Sequence, residues 1–83
     1  MEVLYFAWVR DRVGTAREQV DPPESVNTVG ELVRWLASRS SGHAAAFRDC
    51  ELLRAAVNQE HVPFGHPIAA GDEVAFFPPM TGG

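Results

Sequence analysis

The last eight residues carry the most distinctive chemistry of the chain: Phe76, Phe77, Pro78, Pro79, Met80, Thr81, Gly82 and Gly83. The two prolines end any strand or helix, because proline lacks a backbone N–H and fixes φ, and a Pro-Pro step favours a stiff, extended segment. The two glycines lack Cβ atoms, so they can pass through a narrow channel. These features suit a Gly83 carboxylate that enters another protein's active site, is activated there by an adenylyl group, and then reacts with a sulfur nucleophile. The alternative is an ordinary frayed chain end, since small residues are common there.

Three histidines and a single cysteine are the other residues that could bind a metal ion or act as nucleophiles. The intervals between His43, His61, His66 and Cys50 match neither a Cys-x₂-Cys nor a His-x₃-His pair. No metal site is therefore predicted, and the histidines are interpreted as solvated loop residues.

The sequence contains no pattern for binding a nucleotide. Neither a G-x-x-x-x-G-K-[ST] nor a G-x-G-x-x-G segment is present. Asp72 and Glu73 are adjacent, and neighbouring strand residues point to opposite faces, so they form a poor acid/base pair. We expect the chain to bind no cofactor, a second protein to use ATP for the activation of Gly83, and a self-contained enzyme to be disfavoured.

The first of the elements that must position the tail is an apolar segment at the start of the chain. Residues Met1–Val9 predict a strand with two apolar faces, which is typical of the middle of a covered sheet. Arg10–Gly14 is predicted to be a turn, and Ala16–Val20 a second strand that forms a hairpin with the first. A domain this small can hardly cover both apolar faces, so we expect one of them to be kept for a partner.

The strongest helix signal runs from Thr28 to about Arg39. Thr28 and Glu31 form a capping-box pattern, and apolar residues then recur at i, i+3, i+4 and i+7. Weaker patterns predict the remaining elements: a short helix at Ala44–Phe47, a strand at Leu52–Val57, a loop with at most a short edge strand at Val62–Ile68, and a last strand at Glu73–Phe77.

This order of elements predicts an α+β fold of the ubiquitin-like β-grasp type. It consists of a mixed sheet with one main helix packed on one face. The domain is predicted to occupy residues 1–77, and residues 78–83 are predicted to form an extended, flexible C-terminal tail.

Composition narrows the choice of partners and of compartment. The chain has 83 residues, of which 46% are hydrophobic and 22% charged, as expected for one small globular domain. The net charge of −4 argues against nucleic acid and anionic membranes as partners. One cysteine and no long apolar run are compatible with a cytoplasmic protein.

Three stretches are similar to the small, sulfur-carrying subunits of molybdopterin synthase, a ubiquitin-like family of molybdenum cofactor biosynthesis. Gly71–Gly83, with its Phe-Phe-Pro-Pro base and its Gly-Gly end, is the most specific of them. The other two are Phe6–Arg10 with Val13–Thr15, and Leu52–Gln59.

The resemblance implies a reaction cycle on Gly83. An adenylyltransferase related to ubiquitin-activating enzymes joins AMP to the carboxylate, and a sulfur donor converts it to a thiocarboxylate. Gly82 is the slender neighbour that lets Gly83 reach its target. The tail then inserts into the large synthase subunit, which supplies the catalytic groups, and sulfur passes to a cyclic pterin precursor to form the molybdopterin dithiolene.

The resemblance also implies a docking surface and an assembly of two small and two large subunits. His61 stands where the family more often has an apolar residue. The residues implied to contact the partner are Phe6, His61, Phe77, Pro78, Pro79, Met80 and Thr81.

Two other functions are compatible with the sequence. One is a sulfur carrier for thiamine or cysteine biosynthesis, although such carriers usually lack the Phe-Phe-Pro-Pro base. The other is a non-covalent β-grasp interaction module whose tail is incidental. Deletion of Gly83 separates them, because a carrier would lose AMP transfer whereas an interaction module would keep its partner.

Overall fold

A computed structural model describes residues 1–79 of the chain. Five strands, three helices and a 3₁₀ turn follow one another along the sequence. Their bounds are β1 Glu2–Tyr5, α1 Ala7–Val13, β2 Arg17–Gln19, α2 Val29–Ala37, α3 Ser41–Phe47, the 3₁₀ turn Cys50–Leu52, β3 Arg54–Val57, β4 Glu60–Val62 and β5 Glu73–Phe77.

The five strands form one mixed sheet in the order β2-β1-β5-β3-β4. β1 and β5 are parallel, and the other neighbouring pairs are antiparallel. All three helices contribute side chains to a single core on one face of this sheet. The predicted fold class, a ubiquitin-like β-grasp with a mixed sheet, is confirmed.

The core consists of the inward-facing side chains of the three central strands and the apolar side of the helices. Tyr5 and Phe76 are fully buried, and the ring of Phe47 in α3 meets Phe76 edge-on, with 5.1 Å between centroids. Aromatic pairs prefer this arrangement. The core therefore holds one face of β5, the strand that leads into the tail, while β1 and β3 pair with its two edges.

Helix α2 begins at the predicted capping box. The Thr28 hydroxyl accepts the Glu31 backbone N–H at 3.1 Å, while the Glu31 carboxylate accepts the N–H of Asn27 at 2.8 Å, one residue earlier than the usual box partner. The loop over residues 63–68 satisfies two further N–H groups, because Phe64 and His66 offer their carbonyl oxygens to the first turn of α2.

The predicted first strand, Met1–Val9, is wrong beyond Tyr5. The chain turns at Phe6 into helix α1, which also replaces most of the predicted turn over residues 10–14. Only Gly14 keeps its predicted role as a stop, since it ends α1 with φ 100°. Val9 lies one turn after Tyr5 and is fully buried, so a helical spacing was present beneath the strand-like alternation.

Two helices therefore accompany α2, where one main helix was predicted. Helix α3 is longer than the predicted Ala44–Phe47, because the Ser40 hydroxyl accepts the His43 N–H and starts the helix earlier. Gly42 brings α3 against α1: a Cβ at this position would lie 2.7 Å from the carbonyl oxygen of Arg12.

The interpretation of His43 as a solvated loop residue is wrong. Its side chain is buried in α3, where Nε2 donates to the Glu18 carboxylate at 2.6 Å and Nδ1 accepts from the Ser40 hydroxyl at 2.7 Å. The same oxygen of Glu18 also accepts the Tyr5 hydroxyl at 2.7 Å. This network joins β1, β2 and α3, and it satisfies polar groups that would be costly to bury unpaired.

The network shifts the ionisation of two of its members. Burial, together with the adjacent Glu18 carboxylate, raises the pKa of Tyr5 far above its usual value. Burial acts to raise the pKa of Glu18 as well, but the hydrogen bonds from His43 and Tyr5 together outweigh it, so the pKa of Glu18 is lowered.

None of the three helices within residues 1–79 combines the length and the apolar content that a membrane span requires.

Candidate functional site

The site is built at the end of the sheet where β5 ends and the chain turns from β1 into α1. The backbone N–H of Phe6 donates to Phe76 O at 3.1 Å, while its carbonyl oxygen accepts the N–H of Val9 at 3.1 Å. Ala7, the first residue of α1, has φ 54°, a left-handed angle that is unusual for alanine. The turn leaves Phe6 outside the core, with 46% of its surface exposed.

Phe77 lies beside this turn, at the last position of β5. It is opposite Arg54 of β3 in the register, on the face of the sheet that the helices leave open, and it is half-buried. A shallow apolar cleft of about 360 Å³ separates it from Phe6. We call this the Phe6–Phe77 cleft, and its lining residues are Phe6, Ala7, Ala75, Phe77 and Pro78.

His61 lies on the same open face, on the edge strand β4. It pairs with Ala56 of β3 and is exposed. Its ring centroid is 5.2 Å from that of Phe77, with a 49° angle between the rings. The structure thus brings together Phe6, Phe77 and His61, three of the residues that the resemblance assigns to partner contact; that role stays a prediction.

The tail leaves the sheet directly after Phe77. Pro78 is half-buried and borders the Phe6–Phe77 cleft, while Pro79 is exposed. Since proline offers no N–H, neither residue can extend the ladders on the two sides of β5. The remaining predicted site residues, Met80, Thr81, Gly82 and Gly83, lie outside the described part of the chain.

A second cleft, of about 520 Å³, lies on the other side of the tail base. Its apolar lining includes Trp8 of α1 and Leu52, whose surface is 54% exposed. We call it the Trp8–Leu52 cleft, and it is lined by Trp8, Arg12, Asp49, Leu52, Pro78 and Pro79.

The polar groups at this second cleft are a guanidinium and a carboxylate. Arg12 stacks on Trp8, with 4.4 Å from its Cζ to the ring centroid, and Nη1 donates to Ala45 O at 3.1 Å. Its distance to the Asp49 carboxylate is 3.9 Å, and both side chains are more than two-fifths exposed. Such an exposed pair contributes little to stability, so both groups can exchange partners.

The sequence did not single out Ala7, Trp8 or Leu52 as parts of a site. Ala7 carries no signal, because alanine is compatible with almost any backbone. The Leu52-Leu53 pair does contain a hint, since only one of two adjacent leucines can face the core at the start of a strand. Leu53 is the buried one, with 2% exposure.

Several known proteins are similar to this chain over almost its whole length. The molybdopterin synthase sulfur carrier subunit of Escherichia coli (strain K12) is 49% identical over 83 residues, which cover 100% of this chain and 99% of that protein. A solved structure from Pyrococcus furiosus, described as subunit 1 of a molybdopterin converting factor, has a TM-score of 0.78 at 27% identity, with 95% of each chain covered.

A third similar structure comes from a protein–protein complex of subunits 1 and 2 of molybdopterin-converting factor from Helicobacter pylori 26695. It has a TM-score of 0.63 at 19% identity, covers 99% of this chain and 96% of that chain, and supports the fold. The ThiS family model matches residues 3–83. This chain belongs to the ThiS family, and its curated homologues are named molybdopterin synthase sulfur carrier subunits.

Proposed function

We propose that this chain is the sulfur carrier subunit of a molybdopterin synthase and that Gly83 carries the sulfur. The observation that carries the proposal is the match over the full chain to proteins of that name, 49% identical in one case. The position of the tail base supports it, because the chain leaves the central strand of the sheet beside two clefts that a partner protein could cover.

The chemistry proceeds on the carboxylate of Gly83. One carboxylate oxygen attacks the α-phosphate of ATP in a partner adenylyltransferase, and pyrophosphate leaves. A sulfur nucleophile then displaces AMP at the acyl carbon. Hydrosulfide would give the thiocarboxylate directly, whereas a persulfide on a donor protein would give an acyl disulfide, which a thiol then reduces to the thiocarboxylate. Transfer of that sulfur to the cyclic pterin precursor, with hydrolysis of the acyl–sulfur bond by water, returns the carboxylate. Two such transfers are needed to build the dithiolene, because it contains two sulfur atoms. ATP belongs to the activating partner, and this chain binds no cofactor of its own.

The large subunit is the proposed acceptor partner, and the complex of subunits 1 and 2 in the Helicobacter pylori structure supports such a pair. Phe6, His61 and Phe77 would form the apolar docking contact, and residues 78–83 would enter the large subunit. The large subunit would supply the catalytic groups, and two copies of each subunit would form a heterotetramer in the cytoplasm.

Intact-mass analysis of the protein from its native host tests the proposal. The expected result is a species in which sulfur has replaced one oxygen, located by fragmentation at Gly83. A chain with one residue added after Gly83 should form no such species and should give no molybdopterin, while a chain with one residue added before Met1 should behave like wild type. Normal molybdopterin formation by the C-terminally extended chain would contradict the proposal.

The host phenotype separates this function from that of the related carriers. Loss of the gene should abolish molybdoenzyme activity without a requirement for thiamine or cysteine. A thiamine or cysteine requirement with intact molybdoenzymes would assign the carrier to one of those pathways.

A further inference from the structure

We infer that the Trp8–Leu52 cleft is a second docking contact for the large subunit, distinct from the Phe6–Phe77 cleft, and that it receives an apolar side chain next to a hydrogen-bond acceptor for Arg12. The inference rests on the proposed function and adds a surface to it. Two apolar contacts would then flank the tail, one on each side of Pro78.

Exposure of large apolar side chains is concentrated at this end of the molecule. Within residues 1–79, Phe6 and Leu52 are the large hydrophobic residues that stay exposed, at 46% and 54%. They lie far apart in the sequence, yet each lines a cleft that Pro78 also lines. Large apolar side chains that are exposed close to one another mark an interaction site.

Arg12 gives the second cleft a directional polar contact. Its guanidinium lies over the Trp8 ring and donates to Ala45 O, and these contacts restrict its orientation before binding. A guanidinium has five N–H donors, and the bond to Ala45 uses one. The Asp49 carboxylate lines the same cleft, 3.9 Å from this guanidinium, and would repel a second carboxylate. A neutral backbone carbonyl of the partner is therefore the acceptor that the remaining donors would recognise.

Because the tail is short, a partner that binds Gly83 must approach the base of the tail closely. Only four residues follow Pro79, so Gly83 can reach at most about 14 Å beyond it. A partner that holds Gly83 in a recessed active site must therefore bring its surface up to the base of the tail. Because Pro78 borders both clefts, a partner that surrounds the tail covers both of them.

Interface size favours the same conclusion. A stable protein–protein interface buries about 800 Å² on each partner. The contact proposed so far consists of the tail and of a narrow strip on the open face, formed by two phenylalanines and a histidine. The Trp8–Leu52 cleft continues that strip around the tail.

Binding of the purified large subunit to the full chain tests the inference. Leu52→Glu places a charge in the lining of the cleft, and we expect it to weaken the Kd about tenfold, while Leu52→Ser weakens it about threefold. Ala70→Glu is the matched control, since it adds the same charge at an exposed position on another part of the surface. It should change the Kd by less than about twofold.

The outcomes separate this inference from the proposed function. Thermal unfolding should be unchanged for both Leu52 variants, because Leu52 is already exposed. If Phe6→Glu weakens binding and both Leu52 variants bind like wild type, the second contact does not exist, and the proposed function still stands. If neither Phe6→Glu nor deletion of residues 80–83 weakens binding, the proposed function fails.

Discussion

Ala7 illustrates how one backbone angle places a side chain on the surface of this domain. A left-handed alanine costs about 1 kcal/mol, because its Cβ crowds the following carbonyl oxygen. Here the angle ends β1 and begins α1 within two residues, and Phe6 is left beside Phe77. Strain of this kind persists where the surrounding structure fixes it, and it is common at binding sites.

Replacement of Ala7 by glycine should relieve this strain. We expect Ala7→Gly to raise the free energy of unfolding by up to about 1 kcal/mol, as measured by urea denaturation. Ala44→Gly is the control, because Ala44 is exposed inside α3, where glycine should cost about 0.5–1 kcal/mol. Equal losses in both variants would show that Ala7 is not strained.

Because of Glu18, the stability of the fold should depend on pH in the acidic range. In the folded state its pKa lies below the ordinary 4.5. The contribution of ionised Glu18 to folding stability is therefore complete above about pH 4.5, and it is lost as the pH falls through the folded pKa. We expect Glu18→Gln to be less stable than wild type by about 1–2 kcal/mol at pH 7.

The difference between wild type and Glu18→Gln should shrink below about pH 4.5, in urea unfolding followed across a pH series. Glu51→Gln removes an exposed carboxylate instead and should stay within about 0.5 kcal/mol of wild type at pH 7. A gap between wild type and Glu18→Gln that is constant down to pH 3 would mean that ionised Glu18 does not stabilise the fold.

At the scale of elements, the packing of α3 on α1 depends on Gly42. In most helices Gly→Ala is stabilising by about 1 kcal/mol. Here the added Cβ would lie 2.7 Å from Arg12 O and 3.2 Å from Val13 O, and backbone atoms cannot move aside cheaply. The two helices would have to separate.

Gly42→Ala should therefore destabilise the domain by about 1–3 kcal/mol, measured by thermal or urea unfolding. Gly65→Ala provides the comparison, since a Cβ there would meet nothing within 4 Å, and it should be close to neutral. An increase in stability for Gly42→Ala would mean that α1 and α3 are farther apart than described.

The sequence predicted those elements whose local signals agree with their tertiary role. Helix α2 has a cap, a periodic apolar stripe and a polar outer side, so it was found. Helix α1 was missed because Met1–Val9 alternates like a strand across a junction whose turning residue is an alanine. The burial of His43 was also missed, because its partner Glu18 is distant in the sequence and only the fold brings them together.

The same limit applies to the candidate site. The Phe-Phe-Pro-Pro base was visible because proline and aromatic residues have strong local meanings. The Trp8–Leu52 cleft was not visible in the sequence, because Trp8 and Leu52 become neighbours only when α1 and the 3₁₀ turn meet beside the tail.

For the whole molecule, the domain and its tail should be energetically separate. Every residue of the described core lies between Val3 and Phe76. A chain that ends at Pro79 should therefore unfold at the same temperature as the full chain, within about 1 °C, since it keeps every residue of that core. A large drop in the melting temperature would show that residues 80–83 stabilise the domain.

The central position of β5 has a mechanical consequence. The strand that continues into the tail pairs with β1 along one edge and with β3 along the other, through four residue pairs on each side. A pull on the C-terminus runs along that strand, so both ladders resist it in shear, and their hydrogen bonds must break together rather than one after another. A protein that binds the C-terminus could therefore apply a pulling force to it without unfolding the domain.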